Sequence, residues 1–230
     1  MSMVPLARKA GFFLTFEGLD GSGKTTQILR LITWLHGQRL QPIQTRQPGG
    51  TATGDRIRAL LLDSKSAGLA PRTELAMMFA DRAQSIQEVI APALEAGRVV
   101  VCDRFTDSTE AYQGGGRELG SEVVLEMHRL ICGGLQPDLT ILLLPDLKAS
   151  LTRARRRNTR ETKATGTDES RFESEKDAFF QRVYDQYRTI AVREPMRVVT
   201  IEGDLDVEEV YLEVIKAVGV RLREAGLLPR

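Results

Sequence analysis

Short, mainly apolar segments alternate with longer segments of helical periodicity along this chain of 230 residues. The short segments predict five strands, at residues 12–16, 42–45, 99–102, 139–144 and 197–201. Residues 99–102 are apolar on both faces, which is typical of a central parallel strand. Strands that alternate with helices favour an α/β fold. We therefore expect a five-stranded parallel sheet flanked by helices, arranged as a three-layer sandwich.

The longer segments predict the helices. We expect them from about residue 25 to near 37, over 73–82, from 86 to 97, over 123–131, after 145, from 177, and near the end of the chain. Residues 60–68 indicate a helix end and a loop. Trp34 is expected to pack rather than to bind a ligand. Core positions are expected in the last two helices at Phe180, Val183, Tyr184, Tyr187 and Ala191, and at Val207, Val210, Tyr211, Val214 and Val218.

The composition is compatible with one compact domain over residues 1–230, preceded by a loosely held leader at residues 1–11. Lys and Arg total 32 against 31 acidic residues, so the net charge of +1 provides no global attraction to nucleic acid or to an anionic membrane. The apolar run after the leader is too short for a signal peptide or a membrane span. Cys102 and Cys132 lie in apolar surroundings, without zinc or disulfide spacing. A reducing cytoplasm fits this pattern best.

A phosphate-binding loop is predicted between the first strand and the first helix. The spacing G-x-x-x-x-G-K-[ST] is matched at Gly18, Gly23, Lys24 and Thr25. In such loops the lysine reaches the outer phosphates and the hydroxyl can ligate magnesium. The alternative is a glycine-rich turn that binds nothing. The residues expected to bind ATP are Gly18, Leu19, Asp20, Gly21, Ser22, Gly23, Lys24, Thr25 and Thr26.

Charged residues follow two predicted strands at their carboxyl ends, where ligands bind in open α/β sheets. Arg46 begins a turn after the second strand, and Asp103 and Arg104 follow the third. Asp103 is placed like the acid that holds magnesium in P-loop enzymes, although it could instead cap the next helix. Residues 108–117 are polar and then glycine-rich, and we expect them to line a cleft.

A cluster of arginines marks a possible lid over the phosphate loop, at about residues 153–173. The polar segment 158–170 that follows the cluster suggests a mobile flap, which would carry cations over the phosphates and expel water. The alternatives are a solvated helix face or a nucleic-acid patch. The cluster consists of Arg153, Arg155, Arg156, Arg157 and Arg160.

Six ordered motifs resemble the thymidylate kinase family over roughly residues 12–218. They are the phosphate loop, TRQPGGT at 45–51, FADRAQ at 79–84, DRF at 103–105 with Ser108, AYQG at 111–114, and PDLT at 137–140. A phosphate loop alone would be shared with many NTPases, whereas the ordered set is specific. The resemblance implies a P-loop NTPase fold of the nucleoside monophosphate kinase type. It also implies transfer of the ATP γ-phosphoryl group to thymidine 5′-monophosphate (dTMP), with Mg²⁺.

The resemblance also implies roles for individual residues. Arg46 and Arg104 would grip the acceptor phosphate, Phe79 would stack on thymine, and Arg82 would hydrogen-bond a base oxygen. Ser108 and Gln113 would complete the base pocket, and Tyr112 would exclude a ribose 2′-hydroxyl. Asp20 would lie near the acceptor sugar and phosphate. Phe79 could instead be a core aromatic and Arg82 a surface ion-pair partner. The catalytic residues implied are Lys24, Asp20, Arg157 and Arg153.

Three features of the sequence qualify the resemblance. Gln47 stands where the family usually has Glu, which removes an acceptor charge, and Leu144 and Pro145 stand where an acid often ends the fourth strand. Ser22 in the phosphate loop resembles members that supply the catalytic arginine from the lid. Arg157 is then the first choice and Arg153 the second. The lid is expected to be longer than usual, with residues 159–167 as the extra length.

Three other functions remain open from the residues. The chain could be a different nucleoside monophosphate kinase, a P-loop switch or DNA-partition ATPase, or an inactive nucleotide binder, for which Gln47 is the only hint. The family usually forms twofold dimers. The apolar helices after Thr73 and Ser121 could supply such a homodimer contact, although their faces could equally be core.

Overall fold

The computed structural model describes residues 10–66, 68–165, 171–172, 175–203 and 205–229, so most of the predicted leader lies outside them. Its centre is a parallel sheet with strand order β2-β3-β1-β4-β5. Each predicted strand is confirmed to within one residue at either end. The strands are β1 (Phe12–Glu17), β2 (Ile43–Arg46), β3 (Val99–Asp103), β4 (Leu139–Leu144) and β5 (Val198–Glu202).

Helices connect the strands and cover the sheet. They are α1 (Lys24–Gly37), α2 (Ala52–Leu62), α3 (Pro71–Ser85), α4 (Ala91–Glu95), α5 (Thr106–Thr109), α6 (Ser121–Cys132), α7 (Leu147–Thr165), α8 (Asp177–Arg193) and α9 (Val207–Glu224). A 3₁₀ turn (Ser64–Ser66) follows α2. One π-helical segment (Ile86–Ile90) joins α3 to α4, and another (Glu110–Gly116) continues α5.

The faces of the strands alternate between two cores, which confirms the three-layer sandwich. Phe12, Leu14 and Phe16 of β1 belong to a buried cluster with α1 and α9, and Trp34 packs against it as predicted. Phe13 points to the opposite face and joins a cluster with α3 and α6. A third cluster packs α8 against β4. Because β1 is covered on both sides, all six of its residues are buried.

Two helical segments were not fully predicted, and two local predictions need correction. Helix α2 begins eight residues before position 60, and its residues are mostly exposed or half-buried, so it lacks a strong apolar stripe. Residues 108–117 are largely helical despite their glycines. A Cβ at Gly116 would lie 2.5 Å from the Phe179 ring, so close packing on α8 explains the glycine there. The segment predicted as a flap at 158–170 continues α7 to Thr165, and residues 166–170 lie outside the described ranges. Val207 is 56% exposed because it opens α9 directly after the capping residue Asp206.

The strand order brings two loops together at the carboxyl edge of the sheet. The chain leaves β1 towards β2 and leaves the adjacent β3 towards β4 on the other side, so a crevice opens between their ends. The segments that follow β3 and β2 are each bonded to the end of a neighbouring strand, since the N–H of Arg104 donates to Phe16 O at 2.9 Å and that of Gln47 donates to Asp103 O at 2.9 Å. The predicted site residues lie around this crevice. Among the helices of the described residues, none is long and apolar enough to cross a membrane.

Candidate active site

The phosphate loop turns from β1 into α1 on three glycines with positive φ. The φ angles of Gly18, Gly21 and Gly23 are 128°, 77° and 100°. A Cβ at Gly21 would lie 2.2 Å from Ser150 O, so only glycine lets the loop lie against the start of α7. Helix α1 begins at Lys24, and no side chain caps its N-terminus. Its first N–H groups are therefore available to an anion, as in other phosphate-binding loops.

Lys24 is held at the mouth of this loop. Its Nζ donates to Gly18 O at 3.0 Å and to Leu19 O at 2.9 Å. Burial and the nearby Arg104 lower the pKa of Lys24 to about 8, although the acidic neighbours Asp103 and Asp20 oppose that change. The ammonium group thus lies between the loop and the carboxyl end of β3, where it can contact the phosphates of a nucleotide.

A cleft of about 1090 Å³ lies at the carboxyl edge of the sheet, between the phosphate loop, α3, the segment after β3, and α7. It brings together most of the residues predicted for the two nucleotides. The predicted residues that line it are Asp20, Gly21, Gly23, Lys24, Thr25, Thr26, Arg46, Arg82, Asp103, Arg104, Ser108, Tyr112, Gln113, Arg153 and Arg157. The remaining predicted residues, Gly18, Leu19, Ser22 and Phe79, are not part of this lining.

Phe79 lies in the core and is not part of the cleft lining, so its stacking on a base stays a prediction. Its side chain is fully buried and belongs with Leu75 and Ile86 to the cluster beneath α3. Met78, one position earlier, lines the cleft. The signal was in the sequence, because Leu75, Phe79 and Ile86 recur at spacings of four and seven and form the apolar stripe of the helix. Met78 and Arg82 form the adjacent stripe, which faces the cleft.

Arg82 is buried and has one unused donor at the cleft. Its Nε donates to Gln47 Oε1 at 2.8 Å, and its Nη2 donates to Phe105 O at 3.1 Å and to Thr109 Oγ1 at 2.8 Å. Its Nη1 is buried without a hydrogen-bond partner among the described residues. Burial lowers the pKa of Arg82, although Asp81 and Glu17 act in the opposite direction. These contacts rule out the alternative of a surface ion pair.

Gln113 presents an acceptor to the same cleft. Its Nε2 donates to Glu74 Oε1 at 2.8 Å, and Glu74 also accepts from Arg117 and Arg171. Since those oxygens accept, the amide nitrogen of Gln113 must face Glu74 and its Oε1 must face away. That Oε1 is buried and has no partner in the described part of the chain. Residues that line the cleft therefore carry an unused acceptor on Gln113 and unused donors on Arg82 and Gln47.

Arg104 and Asp20 form an ion pair at the centre of the cleft. Arg104 has a φ of 69°, and its Nη2 donates to Asp20 Oδ1 at 2.9 Å. Burial opposes the charge on Asp20, but Arg104, Lys24 and Arg157 outweigh it and hold the pKa of that carboxyl well below its usual value. The Tyr112 hydroxyl lies 3.4 Å from Asp20 Oδ2 and 3.5 Å from Arg104 Nη2. This part of the cleft is a cationic site that can receive a phosphate.

Ser108 lies beside Arg104. Its Oγ accepts from Arg104 Nη1 at 3.0 Å and donates to the buried carboxyl of Glu17. Thr109 is the hydroxyl residue that contacts Arg82, at 2.8 Å. Both Ser108 and Thr109 line the cleft, and the predicted role of Ser108 in the base pocket stays a prediction.

Two arginines of α7 reach the cleft from one face of the helix, at positions four apart. Arg153 donates from Nε to Gly21 O at 2.7 Å, and Arg157 Nη2 lies 3.7 Å from Asp20 Oδ1. Arg155 points elsewhere and pairs with Asp177 at 3.2 Å. The arginines predicted as catalytic are thus the ones that the helix aims at the phosphate loop.

Asp103 and Thr25 provide oxygen atoms that suit a hard divalent cation. Asp103 is the last residue of β3 and lines the cleft, and its buried Oδ1 has no hydrogen-bond partner among the residues described. It does not cap the next helix, which follows Phe105 without a side-chain cap. Thr25 is exposed at the cleft in the first turn of α1. In the described ranges no three His, Cys, Asp or Glu side chains cluster, so such a cation would take further ligands from phosphate and water.

The turn after β2 supports Arg46 and Gln47. Arg46 is exposed and lies 3.2 Å from Asp55, while Gln47 is buried and accepts from Arg82. Asp81 accepts from the N–H of Gly49 at 2.8 Å, and burial raises the pKa of Asp81 to about 6. A neutral amide therefore stands next to Arg82, where a carboxylate would neutralise its charge.

Arg58 and Glu17 were missed in the sequence. Arg58 lines the cleft from α2 and donates to Pro48 O at 3.2 Å. Its helix was recognised only from residue 60, so its side of the cleft was not seen. Glu17 lies behind the cleft at the end of β1, and an acid that ends a mainly apolar strand was the signal for it.

Comparisons with known proteins point to one family. A family model described as thymidylate kinase matches residues 16–214. A thymidylate kinase of Desulfovibrio desulfuricans is 47% identical over 214 residues, which make up 93% of this chain and 98% of that protein. One of Pelobacter propionicus is 46% identical over 208 residues, or 90% of this chain and 94% of that protein.

A solved structure shares the fold. The crystal structure of a thymidylate kinase from Ehrlichia chaffeensis has a TM-score of 0.71 and 32% sequence identity to this chain, and the match covers 91% of this chain and 98% of that one. The family match includes every residue that lines the cleft. This chain belongs to the thymidylate kinase family, a family of nucleoside monophosphate kinases.

Proposed function

We propose that this protein transfers the γ-phosphoryl group of ATP to dTMP, giving ADP and thymidine 5′-diphosphate, a step towards dTTP. The observation that carries the proposal is the pair of unused polar atoms in the cleft, the Gln113 acceptor and the Arg82 donor. Thymine offers a complementary edge, because its N3–H donates and its ring carbonyl oxygens accept. A buried polar atom that stays unpaired costs about 1–3 kcal/mol, so a base that satisfies both atoms is favoured.

The same pair of atoms disfavours other bases. Cytosine has an acceptor at N3 and an amino donor at position 4, so it would face Gln113 with an acceptor and Arg82 with a donor. A site built to hydrogen-bond a group rejects analogues that lack it far better than an apolar pocket rejects a smaller ligand. Met78 would cover the face of the base in place of the predicted Phe79.

The phosphates would meet between the phosphate loop and Arg104. The loop and Lys24 would hold the ATP phosphates, and Arg46 and Arg104 would hold the acceptor phosphate, with Asp20 and Tyr112 beside the acceptor sugar. Phosphoryl transfer has a loose transition state, so alignment and charge neutralisation do most of the work and no covalent intermediate is needed. We propose Lys24, Arg157 and Arg153 as the cations that neutralise the charge on the phosphoryl group during its transfer.

Thr25 and Asp103 would hold Mg²⁺ in this site. The support is the chemistry of their oxygen atoms and the unpartnered Oδ1 of Asp103. When bound, Mg²⁺ supplies charge neutralisation at the ATP phosphates. Asp103 ends β3, the strand next to β1, so it lies across from the loop that carries Thr25.

Residues of about 153–173 are proposed as the lid of a single domain spanning residues 1–230. The support is the approach of Arg153 and Arg157 to the phosphate loop from α7. Because the phosphate loop has Ser22 rather than an arginine, Arg153 and Arg157 would supply the catalytic cation from α7.

Acceptor selection tests the proposal. ADP release is measured with ATP, Mg²⁺ and equal concentrations of dTMP, dUMP, dCMP, dGMP or AMP. We expect dTMP and dUMP to be used well and dCMP to be used at least about 100-fold less efficiently, from the hydrogen-bond pattern. A preference for dGMP or AMP would contradict the proposal. ADP release that is independent of any acceptor would favour a switch ATPase, and no release at all would favour an inactive binder.

We also propose a cytoplasmic homodimer. Both cysteines are buried and unpaired, which suits a reducing compartment. Helix α6 exposes Val123, Leu130 and Ile131, apolar side chains that a twofold partner would cover. Sedimentation equilibrium of the protein, compared with an Ile131→Glu variant, tests this assembly.

A further inference from the structure

Glu17 is a buried carboxyl that does not itself line the cleft, although it contacts Ser108, which does. It ends β1 and is fully buried. Its Oε1 accepts from the N–H of Phe105 at 2.7 Å. Its Oε2 accepts from the hydroxyl of Ser108 and lies 3.4 Å from the hydroxyl of Tyr187. Burying a carboxyl is costly even when it is hydrogen-bonded, so its place behind the cleft calls for an explanation.

The contacts of Glu17 enclose the backbone of Arg104. The N–H of Arg104 donates to Phe16 O at 2.9 Å, and the next N–H, of Phe105, donates to the Glu17 side chain. Between these two bonds Arg104 adopts a φ of 69°, a left-handed conformation that non-glycine residues rarely adopt. Two consecutive residues of β1 therefore hold the Arg104 peptide in a conformation that it would not adopt unaided.

Glu17 also supports the far end of the Arg104 side chain. Nη1 of Arg104 donates to Ser108 Oγ at 3.0 Å, and the Ser108 hydroxyl donates to Glu17. Tyr187 Oη lies 2.8 Å from Ser108 Oγ and completes this buried network. Nη2 of Arg104 points the other way, to Asp20 at the cleft. The guanidinium group thus has Nη1 held by the buried network and Nη2 turned towards Asp20 at the cleft.

We propose that Glu17 is a positioning residue for phosphoryl acceptance. It acts through the Phe105 N–H and the Ser108 hydroxyl to keep Arg104 aimed at the acceptor phosphate. An acceptor phosphate can replace Asp20 at Nη2 while Nη1 stays bound to Ser108, so the arginine does not have to be ordered when the ligand binds. The inference rests on the proposed role of Arg104 in dTMP binding.

The test compares Glu17→Gln and Ser108→Ala with a matched control. Thr15→Val removes another buried side-chain hydrogen bond of β1, to Thr140 at 2.8 Å, without touching Arg104. Initial rates give the KM for dTMP and the KM for ATP of each variant. We expect the KM for dTMP to rise about tenfold in both test variants, while the KM for ATP stays within about twofold. The control should keep both KM values.

The double variant E17Q/S108A adds a second readout. If both residues act through the same contact, the KM for dTMP of the double variant should be little higher than that of the single variant with the higher KM. Glu17 directly precedes the phosphate loop, so general damage to the strand would raise the KM for ATP as well. A wild-type KM for dTMP in folded E17Q, or an equal rise in both KM values, would overturn the inference. If E17Q does not fold, a wild-type KM for dTMP in S108A overturns it.

Arg104→Ala separates this inference from the proposed function. If that variant keeps the wild-type KM for dTMP, the proposed acceptor site is wrong. If it raises this KM while E17Q and S108A leave it unchanged, the acceptor site stands and only the role of Glu17 is lost.

Discussion

At the scale of single residues, Gln113 contributes an acceptor atom whose orientation is fixed from behind. Gln113→Leu removes that acceptor and frees Glu74, and we expect the KM for dTMP to rise at least about tenfold with little change in the KM for ATP. Gln27→Leu is the matched control, because Gln27 is also buried but bonds to Val207 O, on α9. Steady-state kinetics with each substrate measure both effects. Equal KM values for dTMP in the two variants would contradict the assignment.

Phe79 and Met78 are neighbours with opposite expected behaviour. Phe79→Leu should lower the free energy of unfolding by about 1 kcal/mol and leave the KM for dTMP unchanged, because the ring lies in the core. Met78→Ala should raise that KM, since Met78 lines the cleft. Urea denaturation and initial rates measure the two properties. A raised KM for dTMP in folded Phe79→Leu would indicate that Phe79 contacts the base.

The residue types at the site could be read from the sequence more easily than their directions. Lys24, Arg82, Arg104 and Gln113 line the cleft as the motifs indicated. The burial of Phe79 could not be read from its motif, because a motif records spacing, whereas the packing of Leu75, Phe79 and Ile86 beneath α3 decides which side chain is buried. The partners of Glu17 are 88 to 170 positions away along the chain, so no local pattern could have revealed them.

At the scale of elements, α7 delivers arginines to the phosphate loop from one face. We expect Arg157→Ala to lower kcat by about a thousandfold, as for arginines that stabilise phosphoryl transfer in related chemistry. Arg156→Ala is the control, because Arg156 is exposed on another face of the same helix and does not line the cleft. Single-turnover and steady-state rates measure the loss. A similar loss in both variants would indicate a general charge effect rather than a directed contact.

The elements themselves were largely predictable, and the exceptions share a cause. The five strands were located to within one residue, and three of them, β1, β3 and β4, are buried on both faces, which leaves a strong apolar signal. Helix α2 and the helical segment after β3 were missed in part, since α2 is mostly exposed and Gly114, Gly115 and Gly116 usually argue against a helix. Close contact with α8 overrides that preference, as the proximity of Gly116 to Phe179 shows.

At the scale of the whole molecule, stability should depend on pH through Glu17. Burial and Asp107 raise the pKa of Glu17 to about 7 from its ordinary value of 4.5, while Ser108 and Arg104 oppose the rise. Between these values the folded protein holds a proton that the unfolded chain has lost. The contribution of Glu17 to the free energy of unfolding therefore falls as pH rises from about 4.5 to about 7.

Glu17→Gln isolates that contribution, because other titrating groups are common to both proteins. We expect the variant to gain stability relative to the wild type as pH rises from 5 to 8, measured by urea denaturation at each pH. A difference that stays constant over this range would show that Glu17 does not titrate there. The charged groups that act on Glu17, or on which it acts, are Asp107, Arg104, Lys24, Arg82 and Arg197.

Asp20 touches guanidinium groups from two distant elements, at 2.9 Å from Arg104 and 3.7 Å from Arg157. Its carboxylate offsets their mutual repulsion before any nucleotide arrives. Once phosphates are bound, they supply the same negative charge. Asp20→Asn should therefore lower the stability of the free protein more than that of the liganded protein. A bisubstrate analogue should raise the melting temperature of the variant by a larger increment than that of the wild type.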